Sequence, residues 1–574
     1  REGLANFLQR ELPLLERHVR LEAGEKLRQL QFETMLPKFR VELDGLLSGI
    51  SCQLEAVYGN EKHILTGMPG QNEGLDSWVP DASDPRRYRV RGREAERVAQ
   101  RELLAAGFLP GQRAAERYTL AGEGKVGAFL ANVLPRWKRK WEVKLTPRME
   151  SLLGRCDYIA PEITLRDTGG SWLTVEVDFK SGSGGDSLTQ TEVQRLLQTG
   201  LSHHRLAGGR IALVPTDEVA EFGEVLRDCQ VRQDGNRYRL EKRYRGYFGE
   251  ALKGTGWSLN GRSNWKPPEE LVHFEEAKLP ARLEKIARPY QREGIGWLQY
   301  LSRNHFGGVL ADEMGLGKTL QTLAFLELRR AETKAKLPCL VLCPTSLVMN
   351  WMDEGKKFAP GLKMLALYGA GRKGLFAKIP DHDLVVTSYA LLRRDIAEYE
   401  KLEFDTIVLD EAQSIKNRTS QTAVSVKKLV AEHRMVLTGT PLENSLLDLW
   451  SIFDFLMPGY LGTATDFRDR YEIPVAKLGD ERAQNRLRQR VRPFLLRRTK
   501  SEVAKDLPAK IEQVAWCEMT DEQKGVYRQI LEEGRKQVSE LSGKESGGRD
   551  RIAVLTVLMR LRQACCHLGL LPQN

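Results

Sequence analysis

Four apolar residues, Gly308-Val309-Leu310-Ala311, run directly into Asp312-Glu313-Met314-Gly315-Leu316-Gly317-Lys318-Thr319, and residues 320–330 that follow contain no helix breaker. A buried strand, a glycine-bearing loop and a helix start in that order form a cradle for phosphate. Backbone N–H groups and the positive end of the helix dipole face the anion, and glycine lets it approach closely. In such a cradle Lys318 reaches the β- and γ-phosphates and the Thr319 hydroxyl holds Mg²⁺. The stretch departs from G-x-x-x-x-G-K-[ST] at its first position, where Asp312 stands in place of glycine. A Gly-Lys-Thr that merely falls in a loop is the plain alternative.

Further short apolar runs without polar alternation lie at residues 339–343, 384–386, 406–409 and 435–437. Strands buried on both faces read this way, and helical patterns separate them. They predict a parallel α/β sheet with its ligand at the carboxyl ends of the strands. The run 406–409 delivers Asp410-Glu411-Ala412-Gln413 at that end. Two adjacent acids there are costly to bury unless a cation or a reaction uses them. Asp410 suits the Mg²⁺ shell, and Glu411 suits polarising a water that attacks the γ-phosphate; a solvated acidic turn is the alternative. Residues 442–498 then read as helical, as do 521–566 apart from a polar break at 542–550.

Ahead of this half the pattern differs. Residues 4–19 are amphipathic, Phe39-Arg40-Val41-Glu42-Leu43, Cys52-Gln53-Leu54-Glu55-Ala56-Val57-Tyr58 and residues 172–179 suit strands, and residues 93–105 and 125–134 suit helices. Gly59-Asn60 and Asp234-Gly235-Asn236 suit hairpin turns. The reading is a mixed α+β accessory domain over 1–255, in one piece or two subdomains. Gly261-Arg262-Ser263-Asn264-Trp265-Lys266-Pro267-Pro268 breaks both periods and marks a linker over 256–284. An ATPase lobe is placed at 285–505, with a helical insertion at about 442–498, and a helical segment at 506–574.

A chain of 574 residues with 41% hydrophobic and 29% charged residues has material for several cores, which excludes a disordered protein. Its 88 Lys and Arg against 77 Asp and Glu leave a net charge of +11, which favours a polyanionic partner. No apolar run reaches the roughly 18 residues that span a bilayer, so no membrane partner is expected. The eight cysteines are scattered without paired ligand spacing, and Cys565-Cys566-His567 lacks a second pair that would make it a zinc site. The start at Arg1 and the end at Pro572-Gln573-Asn574 read as a piece of something longer.

Taken together, the stretch 312–319, the stretch Asp410-Glu411-Ala412-Gln413-Ser414-Ile415-Lys416-Asn417 and Leu437-Thr438-Gly439-Thr440-Pro441-Leu442-Glu443-Asn444 resemble the motifs of Swi/Snf-type, superfamily-two helicase-like ATPases, translocases of double-stranded DNA. Asp in place of the first glycine is that family's form of the loop. Arg288-Pro289-Tyr290-Gln291 is similar to its adenine-reading segment, Cys343-Pro344-Thr345-Ser346-Leu347-Val348-Met349-Asn350-Trp351 and Thr387-Ser388-Tyr389 to segments that grip DNA, and Leu495-Leu496-Arg497-Arg498-Thr499-Lys500 and residues 559–567 to segments leading toward a second lobe. The resemblance implies a RecA-like P-loop lobe, ATP and Mg²⁺. Nucleotide contacts fall on Arg288, Gln291, Met314, Gly315, Leu316, Gly317, Lys318 and Thr319, and the catalytic set is Lys318, Asp410 and Glu411, with metal at Thr319 and Asp410. Coupling falls on Thr438, Gly439 and Thr440, and DNA contacts on Thr345, Ser346, Asn350, Trp351, Thr387, Ser388, Lys416 and Asn417. Double-stranded DNA is the implied partner, together with DNA-bound proteins or RNA polymerase. The location is cytoplasmic and nucleoid-associated in a bacterium, nuclear in a eukaryote. The second lobe and its transition-state arginines are not in this sequence, so residues 1–574 are expected to bind ATP and DNA but to hydrolyse ATP poorly.

Two other readings remain open for the first half. Glu176, Asp178 and Lys180 share one face of a strand, with Asp157 upstream, a set that suits a metal-dependent nuclease; an exposed charged face is the bland alternative. The first half docking as a brake on a non-catalytic, ATP-regulated DNA-binding module is the other. Pro135-Arg136-Trp137-Lys138-Arg139-Lys140-Trp141 mixes basic and aromatic residues as nucleic-acid surfaces do, or packs its Trp residues inward. His203-His204 is expected as a surface pair beside a helix.

Overall fold

The structure, a computed structural model, describes residues 31–59, 61–69, 79–80, 87–111, 117–167, 171–181, 187–234, 237–253, 257–260, 276–332, 337–439, 445–503, 513–541 and 549–571. The amphipathic stretch 4–19, the linker 261–268, Asn60, Gly235-Asn236 and residues 440–444 lie outside these. The chain divides into two compact units, residues 1–503 and 504–574.

The first unit begins with a sheet built on the antiparallel pair Lys38–Leu46 and Gly49–Tyr58, whose inward residues alternate as a half-buried sheet requires. Under it lies a core around Leu54, Phe108, Phe129 and Trp137. The basic stretch 135–141 turns Trp137 and Trp141 into this core and leaves Lys138, Arg139 and Lys140 outside. A second sheet follows, centred on β1 (Cys156–Asp167) and β2 (Trp172–Ser181), with α1 (Thr216–Asp228) and α2 (Arg245–Lys253) beside it. The acids of the nuclease reading do not gather. Asp178 faces Glu162 across the ladder, Lys180 pairs with Glu162, and Glu176 pairs with Arg166 and Arg237. Asp157 points to the opposite, buried face and pairs with Arg210. His203-His204 is corrected as well: it lies in a short strand, His203–Arg205, half-buried rather than on the surface.

From α3 (Pro289–Arg303) onward the fold is an open parallel sheet. Its strands are β3 (Gly308–Leu310), β4 (Cys339–Cys343), β5 (Met364–Ala366), β6 (Leu384–Ser388), β7 (Glu403–Asp410), β8 (Val430–Leu437) and β9 (Leu495–Leu496). They are ordered β5-β6-β4-β7-β8-β3-β9, every pair parallel. Central strands such as β4 and β6 are buried at every position, which is why their sequences lack alternation. The principal crossover helices are α4 (Lys318–Glu332) and α5 (Val348–Phe358). α6 (Leu446–Leu456) and α7 (Glu481–Val491) bound a helical insertion. That insertion ends before residue 498, because Leu495–Leu496 form the edge strand on β3.

The accessory region is not a separate body. One hydrophobic core runs from Ile159 on β1 through Phe222 and Phe248 to Trp297, Phe453 and Tyr460. Its polar centre is Asp228, fully enclosed, which receives Arg470 (2.9 Å), Arg490 (3.3 Å) and the Tyr247 hydroxyl (2.7 Å).

In the second unit α8 (Asp521–Leu541) and α9 (Arg549–Cys566) pair, with Gly534 set against Val557 where a β-carbon would collide. Cys565 and Cys566 are exposed.

Candidate functional site

The loop between β3 and α4 carries Gly315 and Gly317 at φ +87° and +78°, a region that only glycine enters without strain. Gly317 is also held by space, since a β-carbon there would come within 2.5 Å of the Gln291 amide nitrogen. Gln291 is buried and fully engaged. Its Oε1 accepts from the Arg288 N–H (3.0 Å) and its Nε2 donates to the Leu316 carbonyl (3.1 Å), which ties the start of α3 to the loop. Arg288 and Met314 are exposed beside it, while Leu316 is buried.

Asp312, the position where glycine is usual, is fully buried, and its role is structural. The Arg498 guanidinium forks onto it (Nε to Oδ1 3.0 Å, Nη2 to Oδ2 2.6 Å). Gln321 donates to the same carboxylate (3.1 Å), and Arg498 also donates to the Tyr290 carbonyl. The first residue of the loop therefore fastens together β3, α3, α4 and the segment after β9. Arg498 was not among the sequence candidates for the site. The signal was an acid buried directly after a strand, which demands a cation, but its partner lies 186 residues away. Asp312→Gly would restore the general phosphate-loop pattern, yet it is expected to destabilise the lobe by about 3 kcal/mol or more, because it strands a buried guanidinium. Urea-unfolding midpoints of the two proteins check this.

Lys318 opens α4 and donates from Nζ to the Asp312 carbonyl (2.8 Å). Burial lowers its pKa, against the attraction of Glu411, then Asp312 and Asp410. The loop after β3 and the two acids at the end of β7 lie at the carboxyl ends of parallel strands with β8 between them. Asp410 is 8% exposed. Its Oδ2 accepts from the Trp351 indole N–H (2.9 Å), its Oδ1 from the Glu411 N–H (3.0 Å), and its carbonyl from the Tyr389 hydroxyl (2.7 Å). Burial raises the Asp410 pKa despite these donors and Lys318; burial and the charge of Asp410 raise that of Glu411 despite Lys318. Glu411 also sits at φ +51°, a left-handed conformation that non-glycine residues rarely adopt and that concentrates at functional sites. These donors fit Mg²⁺, which takes hard oxygens from one or two carboxylates and a hydroxyl together with substrate phosphates. The candidates are Asp410 and the half-exposed Thr319.

A raised carboxyl pKa fixes the sign of a stability effect. The folded state holds the Glu411 proton more tightly than the unfolded chain does, so this contribution favours folding below the ordinary carboxylate range and is lost as pH rises through the raised value. Glu411→Gln is therefore expected to melt above wild type at pH 8 without nucleotide. The gap should close as pH falls below the carboxylate range, which thermal melts across pH will show.

Thr438 is buried and its N–H donates to the Leu310 carbonyl (3.2 Å), and Gly439 lies against Met314, so this pair touches the loop directly. Thr440 lies outside the described residues. Three of the residues assigned to DNA have buried side chains with partners inside the lobe. Trp351 is 1% exposed and serves Asp410; Thr387 is fully buried and donates to the Leu367 carbonyl; Ser388 is 1% exposed and caps the next helix at Leu391. Thr345, Ser346, Asn350 and Asn417 are exposed, and Lys416 is half-buried.

Residues 290–570 match the model of the SNF2-related domain, and residues 1–256 that of the bacterial SNF2 helicase-associated region. The ATP-dependent helicase/translocase YwqA of Bacillus subtilis is 40% identical over 303 residues, 52% of this chain and 32% of that protein. The TATA-binding protein-associated factor MOT1 of Saccharomyces cerevisiae is 37% identical over 318 residues, 51% of this chain and 17% of that protein. The SWI2/SNF2 ATPase core of Sulfolobus solfataricus, solved with double-stranded DNA, is 38% identical and covers 52% of this chain and 61% of that one, at a TM-score of 0.38. The matched part of this chain thus spans a third or less of these two curated relatives' length.

Proposed function

The chain belongs to the Swi/Snf-type superfamily-two ATPases, and from that premise we propose that it forms the first motor lobe and accessory region of a DNA-stimulated ATPase that moves along double-stranded DNA. The observation that carries this is the glycine loop opening into α4 at Lys318, with Asp410 and Glu411 at the carboxyl end of β7 in the same parallel sheet. Lys318 would leave the Asp312 carbonyl to hold the β- and γ-phosphates, and the amides from Met314 to Thr319 would cradle them. Bound Mg²⁺, held by Thr319 and Asp410, would neutralise phosphate charge. Trp351 and the Glu411 N–H keep Asp410 oriented for that task. Glu411, with no hydrogen bond drawing on its carboxylate among the described residues, is free to orient the attacking water. Arg288 and Gln291 would border the base. Thr438 and Gly439, packed on the loop, would report its occupancy toward DNA lying over Thr345, Ser346, Asn350, Lys416 and Asn417.

Hydrolysis by residues 1–574 alone is proposed to be slow, because a transition-state arginine contributes about 10³-fold or more in rate and the site described here holds none opposite Glu411. Titration with Mg²⁺ and a non-hydrolysable ATP analogue tests the reading: saturable binding is expected, and none would overturn it. Glu411→Gln should bind like wild type and release phosphate at least about a hundredfold more slowly in a protein that carries both lobes, with or without DNA. Equal turnover would remove Glu411 from its role. DNA affinity should fall steeply with salt, since phosphate contacts dominate such binding.

A further inference from the structure

We propose that Lys500 is a phosphate-contacting residue of the nucleotide site, a second ammonium on the far side of the loop from Asp410 and Glu411. The inference rests on the nucleotide reading above and adds a residue to it. After β9 the chain returns across the loop and is fastened at each step. Ala311 N–H donates to the Leu496 carbonyl (2.7 Å) and Glu313 N–H to the Arg498 carbonyl (3.0 Å). The Arg498 guanidinium grips Asp312, and the Lys500 N–H donates to Glu313 Oε2 (2.7 Å). Thr499 N–H is taken by Glu502 (2.8 Å). With its backbone so held, Lys500 lays its side chain over Gly315: both Cε and Nζ lie 3.6 Å from where a β-carbon on Gly315 would stand.

Lys500 is exposed, and its ammonium reaches over the loop into which phosphate would enter. The ammonium sits beside the loop that leads into the positive end of a fifteen-residue helix, and Lys318 is already there. Among the described residues no carboxylate lies within ion-pairing distance of Lys500 Nζ. The nearby Glu313 and Glu502 spend oxygens on backbone N–H groups instead. An exposed ammonium held over this loop gains a charge-assisted contact when a polyphosphate enters. Glycine at 315 keeps the gap between loop and ammonium open. The ligand class is a nucleoside di- or triphosphate.

The test uses the whole 574-residue chain and isothermal titration with Mg²⁺-ADP and with a Mg²⁺-bound, non-hydrolysable ATP analogue. Lys500→Gln is expected to weaken at least one of these by roughly tenfold. Lys500→Arg should keep most of the affinity, and the melting temperature of nucleotide-free Lys500→Gln should equal that of wild type. A weaker analogue with unchanged ADP places the contact on the γ-phosphate; weakening of both places it on the α- or β-phosphate. Wild-type affinity for both ligands in Lys500→Gln, while Lys318→Ala has lost binding, overturns the role of Lys500 and leaves the site reading intact. An affinity loss matched by a lowered melting temperature assigns Lys500 to the fold and also overturns the proposal. Absence of binding by wild type overturns the site reading itself.

Discussion

Replacing Lys318 by alanine is expected to weaken binding of Mg²⁺-ADP and of a non-hydrolysable ATP analogue by about a hundredfold or more, the size of a charge-assisted contact to phosphate. Among the described residues the ammonium is the positive charge that acts on both acids of β7, and it is held at the start of α4 by the Asp312 carbonyl. Its removal takes away a phosphate donor. It also removes the charge that lowers the pKa values of Asp410 and Glu411, leaving two carboxylates beside an incoming polyanion. What binding remains in Lys318→Ala should therefore depend on the metal at least as strongly as wild-type binding does. Titration at pH 8 with and without EDTA measures both effects. Retained affinity in Lys318→Ala would mean that the phosphates lie elsewhere.

The parts of this site legible in the sequence are those written in local runs. Residues 308–319 spell strand, loop and helix start within twelve positions, and 406–411 spell a buried strand ending in acids; the structure joins them as parallel strands β3 and β7 with β8 between. What pattern could not supply was the pairing of distant polar groups. Asp312 is legible as the family's form of the loop, but the partner that explains it, Arg498, lies far along the chain. Trp351, Thr387 and Ser388 sit in segments that the family resemblance assigned to DNA, yet the end of a central strand is enclosed by its crossover helices, so these side chains turn inward to Asp410, Leu367 and Leu391. β9 has two residues, too short for any period to register, and so the helical reading ran through it. In the accessory half the alternation in β2 was correct, but alternation fixes only a face. Whether Glu176 faced a metal or arginines depended on the strands beside it.

Asp228→Ala is expected to cause the largest loss of stability in the first unit, about 3–5 kcal/mol for the opening that separates α1 and α2 from α7. Asp228 ends α1 with its side chain wholly enclosed, and three arginines of the insertion converge on it: Arg470 at 2.9 Å, Arg490 at 3.3 Å and Arg486 at 3.7 Å. Two of them have a second acid, Glu224 for Arg470 and Glu221 for Arg486, so three carboxylates of α1 balance three guanidiniums. Arg490 has no second acid. It is 1% exposed and instead lies against the Tyr244, Tyr247 and Tyr460 rings, donating to the carbonyls of Asp228 and Tyr460. Removing Asp228 thus leaves one buried cation without a countercharge, the costly way to break such a cluster. Exchanging both partners for apolar side chains is often nearly neutral. Asp228→Ala combined with Arg490→Met should accordingly lose less than the sum of the two single changes. Hydrogen exchange read in α1, α2 and α7 gives the measurement: roughly two to three orders of magnitude faster in Asp228→Ala, with partial recovery in the double variant. If exchange in those helices stays at the wild-type rate, the cluster does not hold the accessory region to the lobe, and a detachable brake becomes the better account of the first half.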